Sequence, residues 1–269
     1  LQSLALSFNP IGEEGAAHLG EALQRAPNLR TLQLHSCQLG AAGGAALAPA
    51  LRDARTLSHL DLSGNNLGDE GVKAIAHHLP HAKTIAELLL SHNRIGADGA
   101  CGLAFALVRR AKCTLRALVL RGNPLGDAGA ASLAESIGAP PPRGNRSLAT
   151  LDLGGCRIST EGALAIGDAL VANGALVHLA LDGNKRIDAP TRKAIAHLLE
   201  LNASNRERPP PAVAPNAAAR RHVRVDVQQL YTDAGAPPPR TQGAALDARA
   251  ERWAASVEAL AEAQEELAV

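Results

Sequence analysis

Aromatic side chains are almost missing from this chain: its 269 residues include two Phe, one Tyr and one Trp. That removes the stacking platforms on which single-stranded nucleic acids and sugar rings are commonly held. Charge of one sign is missing too, with 27 Lys and Arg against 26 Asp and Glu and a formal net charge of +1. Gripping a phosphate backbone draws on a strong basic excess, so nucleic acid is not an expected partner. No apolar run reaches the roughly 18 residues that a membrane-spanning helix needs, and no signal-peptide pattern occurs, so no membrane partner is expected either. The four cysteines, Cys37, Cys101, Cys113 and Cys156, form no C-x-x-C pair. This spacing suits a reducing, intracellular and cytoplasmic setting, without a metal centre or cofactor. Methionine is absent and the chain opens inside a repeat, so a stretch preceding Leu1 is expected.

What is present is one pattern, most complete at 57–79, LSHLDLSGNNLGDEGVKAIAHHL. Leu57, Leu60 and Leu62 have the L-x-x-L-x-L spacing, Asn65 follows at the corner, then Leu67, and Gly68 and Gly71 open an apolar run at helical spacing. In a strand Leu60 and Leu62 face one side while His59, Asp61 and Ser63 face the other. In the following helix Val72, Ile75 and Leu79 form an inward stripe. One copy cannot bury its own leucines, so neighbouring copies must. The Asn65 amide is expected to satisfy backbone groups at the corner of its own copy and of the next.

Seven copies start at residues 1, 29, 57, 85, 115, 148 and 176. The fifth-to-sixth step is lengthened by AlaProProProArgGlyAsnArg at 139–146, expected as a surface bulge. In the last copy Ile187 comes one residue late and Thr191 replaces the helix-opening Gly, the mark of a terminal unit. The expected fold is an α/β solenoid over 1–201, a horseshoe with parallel strands on its concave face and helices on its convex face.

The L-x-x-L-x-L-x-x-[N/C]-x-[L/I]-G pattern, with its 28-residue step and a G-x-x-x-L-A-x-x-L helix, resembles the ribonuclease-inhibitor type of leucine-rich repeat. The resemblance implies a protein-binding solenoid. Relatives of this type include a ribonuclease inhibitor, Ran GTPase-activating proteins, the sensor regions of NOD-like receptors, tropomodulins and axonemal proteins.

Beyond Leu201 the composition turns to Pro, Ala and Arg, so residues 202–243 read as a proline-rich linker. Within it Val223, Val225 and Val227 alternate with polar residues, and a short strand over 222–228 is expected to cover a sheet edge. Residues 244–269 read as an amphipathic helix. Its seam of Leu246, Ala250, Trp253, Val257, Leu260, Gln264 and Leu267 has heptad spacing, which suits a coiled coil. That seam needs a surface to cover it, with Trp253 as the anchor. Either a partner or the flank of the solenoid can supply one.

No set of residues converges for catalysis, so an enzyme is not expected. His59 and Asp61 share a face without a nucleophile or an orienting third group. His77, His78 and His81 lack the acid or thiol that would complete a metal shell. Cys37 and Cys156 fall at the corner position and read as packing residues. Leu89 and Val119, on adjacent strands, form an apolar spot bordered by Asp61, Glu87, Arg121 and Asp152. The candidate partner contacts are therefore His59, Asp61, Glu87, Leu89, Val119, Arg121 and Asp152 on the inner face, and Trp253, Val257 and Leu260 on the terminal helix. The expected function is a non-catalytic protein interaction scaffold within a larger assembly, cytoskeletal or in the axoneme of a cilium or flagellum. The alternative is a regulatory binder: a Ran-type GTPase activator, with Arg94, Arg157 and Arg186 in suitable loops, or the sensor region of a NOD-like receptor.

Overall fold

The computed structural model describes residues 1–108, 114–140 and 144–207, together with Trp253 and Val257. Each copy supplies one short strand: β1 Ser3–Ala5, β2 Thr31–Gln33, β3 His59–Asp61, β4 Glu87–Leu89, β5 Ala117–Val119, β6 Thr150–Asp152 and β7 His178–Ala180. Each strand is followed by a helix: α1 Gly12–Gln24, α2 Gly40–Asp53, α3 Gly68–His78, α4 Ala97–Val108, α5 Gly126–Gly138, α6 Thr160–Ala172 and α7 Ala189–Glu207. The strands form one parallel sheet in chain order. Packed helices need roughly 10 Å each and strands about 4.8 Å, so the stack curves with its sheet on the inside.

The strand leucines run as a column through the array, Leu4, Leu32, Leu60, Leu88, Leu118, Leu151 and Leu179 lying opposite one another in register. Leu32, Leu60, Leu88, Leu118 and Leu151 are at most 1% exposed, each stabilising the fold by about 1.5–3 kcal/mol. Leu4 and Leu179 are only partly buried, because among the described residues β1 and β7 each have a neighbouring strand on one side alone.

The chain leaves every strand through a left-handed residue. Phe8, Ser36, Gly64, His92, Gly122, Gly155 and Gly183 occupy equivalent positions with φ between 53° and 75°. Behind this corner sits the asparagine, which serves its own copy as expected but otherwise reaches to the preceding copy rather than the next. Asn65 Oδ1 accepts from the N–H groups of Cys37 and Leu39 in the preceding copy, and its Nδ2 donates to Leu34 O there and to Leu62 O in its own copy. The amide therefore points back toward the preceding copy. Asn93 and Asn123 repeat the arrangement and Asn184 bonds likewise to the sixth copy, so the third, fourth, fifth and seventh copies are each tied to their predecessor by a buried amide.

Cysteine at the corner keeps only half of this pattern. The Cys156 thiol donates to Leu120 O, but sulfur offers no strong acceptor, and the Leu125 N–H turns instead to Asn123 O at 2.8 Å. Burial pushes the Cys156 thiol up to about 11, which keeps it protonated and unreactive. Cys37, Cys101 and Cys156 are free thiols.

Two acids with no assigned role act as caps across copies. Asp69 Oδ1 accepts from the N–H groups of Gly96 and Gly99, and Asp127 Oδ1 from those of Ser159 and Gly162, so each carboxylate lies over the N-terminus of the next helix.

The loop at 139–146 differs from a plain surface bulge. Asn145 is buried and receives an N–H from Leu148, while Asn173 Nδ2 donates to Asn145 O at 2.6 Å. Arg146 donates to carbonyls of Ile137, Ala139 and Ala172, lacing the ends of α5 and α6 together. The boundary expected at Leu201 also moves, since α7 continues to Glu207. Buried Asn202 holds it there, donating to Asn173 O and Leu176 O. The strand expected over 222–228 and most of the helix expected over 244–269 lie outside the described residues.

Candidate functional site

Because side chains alternate along a strand, the residues flanking each buried leucine emerge on the concave face. Register sets them in rows. One row reads Asp61, Leu89, Val119, Asp152, so the two apolar residues are direct neighbours and each has an aspartate on its outer side. The row beside it reads His59, Glu87, Ala117, Thr150. His59 Nε2 lies 3.4 Å from Glu87 Oε1. Six of the seven inner-face candidates thus fall on four successive strands, with Arg121 just beyond the end of β5, and Leu89 and Val119 are half-buried at their centre.

Arg121 is drawn away from this spot. Its Nε donates to Asp152 Oδ2 at 3.0 Å, and its two Nη groups grip both oxygens of Asp182 at 2.7 Å. The Asp182 and Asp152 hydrogen bonds raise the guanidinium further above its ordinary range, and the same contact holds the Asp182 carboxyl below the usual carboxylate value. The guanidinium crosses β6 over Gly154, where a Cβ would lie 2.5 Å from the Arg121 Cζ. Asp182 and Gly154 are parts of this clamp that spacing alone does not reveal. With Arg121 engaged, Asp61 and Glu87 leave the face acidic.

The clamp has a pH signature. Asp182 has a depressed folded pKa, so its contribution is complete above the unfolded value near 3.8 and is lost as the pH falls through the folded value. Both ends are substantially exposed, so the effect is small and salt-screened. The melting temperature of Asp182→Asn should lie slightly below that of the parent at neutral pH, and the two should converge on acidification. A gap that persists in strong acid would show that another interaction is responsible.

No nucleophile, base and orienting group converge on this face among the described residues, and none of their His, Cys, Asp and Glu side chains form a group of three able to hold a metal. The His77 and His78 rings meet edge to face at 5.1 Å. No helix among the described residues is long and apolar enough to cross a membrane.

The family model described as Leucine Rich repeat matches residues 1–20, 25–48, 53–76, 111–134 and 144–167. These are leucine-rich repeats. The fourth and seventh copies fall outside the matched segments, yet β4 and β7 continue the same leucine-rich-repeat ladder. No curated protein matches the chain. Among solved structures it is similar to the C-terminal domain of tropomodulin from Caenorhabditis elegans, with a TM-score of 0.50 and 18% identity over 59% of this chain and 92% of that one. It is also similar to leiomodin-1 actin-binding site 2, with a TM-score of 0.45 and 17% identity over 70% of this chain and 90% of that one. These likenesses are of fold.

Two of the terminal-helix candidates, Trp253 and Val257, pack against the chain's own repeats, buried within the leucine-rich-repeat core at 5% and 2% exposure. The Trp253 ring lies over Gly167 of α6, and its Nε1 donates to Asp168 Oδ1 at 2.8 Å. As folded here, both are unavailable to a second protein. Gly167 stands where the second to fifth copies have Ala48, Ala76, Ala104 and Ala134 and the first has Gly20, and in the sixth copy the missing methyl leaves a slot for the indole. Leu260 lies outside the described residues.

Proposed function

We propose that this chain is a non-catalytic protein–protein interaction scaffold that reads its partner with the concave sheet, as a component of a cytoskeletal or axonemal assembly. The observation that carries the reading is the row Asp61, Leu89, Val119, Asp152. Two apolar side chains on a solvent-facing sheet, each bordered by a carboxylate, suit a partner that offers an apolar anchor next to basic residues. Asp61 has no ion-pair partner among the described residues, and its contact there is the Ser63 N–H. The tropomodulin-like architecture is compatible with a cytoskeletal setting.

Leu89→Arg tests the reading. Leu89 is half-exposed, so Arg should leave the thermal melt within about 0.5 kcal/mol of the parent. Capture of the native partner on the immobilised full chain should fall at least about tenfold, the scale of losing a central apolar contact. Undiminished capture by a folded Leu89→Arg protein would place the contact elsewhere.

The alternative, a GTPase activator, rests on Arg94 and Arg157, which are exposed in strand-to-helix loops with left-handed backbones. It requires GTP hydrolysis by a partner GTPase to accelerate when the chain is added, and to slow again with Arg94→Ala or Arg157→Ala.

A further inference from the structure

At the edge of the solenoid where helices return to strands, the ends of α1 and α2 and the loop entering β4 enclose a cavity of about 1000 Å³. Its walls carry four cations, Arg25, Arg52, Arg55 and Lys83, and a single carboxylate, Asp53. Arg55 and Lys83 hold the same place in successive copies, so repeat stacking brings their charges together. All four side chains belong to exposed residues, and none has an ion-pair partner among the described residues.

Cations near helix C-termini often serve the helix itself, capping carbonyls or offsetting the dipole. Arg146 does this here, donating to carbonyls at the ends of α5 and α6. The basic cavity is built differently. Its loop carbonyls are taken by threonines: Thr56 Oγ1 donates to Pro27 O and Leu29 O, and Thr84 Oγ1 to Ala54 O and Leu57 O. The guanidinium groups and the ammonium are thus left without an internal task. Their field is felt nearby: His78 is held below its ordinary pKa by burial first, then by His77, His81 and Arg52.

We propose that this cavity is a second binding site, separate from the concave face, that takes an acidic polypeptide segment whose carboxylates pair with Arg25, Arg52, Arg55 and Lys83. Guanidinium forks match carboxylates in bidentate geometry. A nucleic acid is disfavoured because no aromatic side chain lines the cavity to stack a base, and the whole chain lacks the basic excess that steers polyphosphates.

The test uses the full chain and a short fluorescein-labelled poly-glutamate peptide, read by anisotropy. Binding should weaken as ionic strength rises and fall at least about tenfold in Arg52→Glu/Arg55→Glu, since two attractions become repulsions. Lys185→Glu/Arg186→Glu, a pair of exposed residues in the loop before α7, should bind as the parent does. Equal affinity for the Arg52/Arg55 variant, an equal loss in the Lys185/Arg186 variant, or tighter binding of an oligothymidylate of matched charge would each overturn the proposal. Partner capture through Leu89 is a separate readout, so failure here leaves the concave-face reading standing and the converse also holds.

Discussion

Asn93→Ala should destabilise the repeat array by about 3–4 kcal/mol, because it strips a buried amide from two donors at once. The N–H groups of Asn65 and Leu67 both point at Asn93 Oδ1, at 2.9 and 3.3 Å, in a region shielded from water. Alanine offers them nothing, and each buried donor left unpaired costs about 1–3 kcal/mol. The Asn93 Nδ2 contacts to Leu62 O and Ser91 O vanish as well, although Leu62 O keeps its bond from Asn65. Urea denaturation followed by far-ultraviolet circular dichroism measures the loss. Asn93→Cys is the informative comparison, since Cys37 and Cys156 already show how the corner accommodates sulfur. It should retain the donor contact to the preceding carbonyl and so cost about 1 kcal/mol less than alanine, roughly the worth of that one bond. If alanine cost under about 1 kcal/mol, the backward-reaching amide would not be what joins copies three and four.

The second large effect concerns Gly167→Ala, which should unseat Trp253 without altering it. An added Cβ at Gly167 would collide with the indole ring, and a rigid aromatic against helix backbone has little room to retreat. The sole Trp of the chain makes the outcome directly visible. Its emission should shift to the red and its quenching by acrylamide should rise. The helix itself should gain up to about 1 kcal/mol, because Ala is a better helix former than Gly. Loosening of the terminal segment with a steadier α6 is therefore the expected signature, and general unfolding would move both readouts the same way. Trp253→Ala should forfeit about 3 kcal/mol of docking free energy, the usual scale for a buried Trp. It should make the terminal segment protease-sensitive while the repeats still melt cooperatively. A blue, protected emission in Gly167→Ala would show that the indole does not sit in this slot.

The repeat array was readable in advance because its leucines obey two periods at once, alternation within a strand and recurrence from copy to copy. The positions of β1 to β7 follow from Leu4, Leu32, Leu60 and their equivalents, and the inner-face row from the residues between them. What spacing does not contain is the direction in which a side chain reaches. Asn65 was legible as a corner amide, but its bonding to the preceding copy depends on the backbone's left-handed turn at Gly64 and the stagger of neighbouring loops. Arg121 was legible as a border residue. Its clamp on Asp182 spans two strands and needs the bare backbone of Gly154, a relation that exists only once β6 lies between them. The heptad periodicity read at the C-terminus states only that a face is apolar, whereas Trp253 and Val257 are buried against the chain's own repeats. The choice of cover depends on Gly167, where the methyl carried by the four preceding copies is missing.

Among the described helices α1 to α7, every substantial contact joins successive ones. Such a body has no central keystone, and load applied between its ends passes through each joint in turn. Under tension it should lengthen by parting one seam after another, with the amide-bonded joints among copies two to five and between copies six and seven outlasting the two at which cysteine stands. The molecule is in that sense a graded spring, whose softest coils are set by where cysteine stands in place of asparagine.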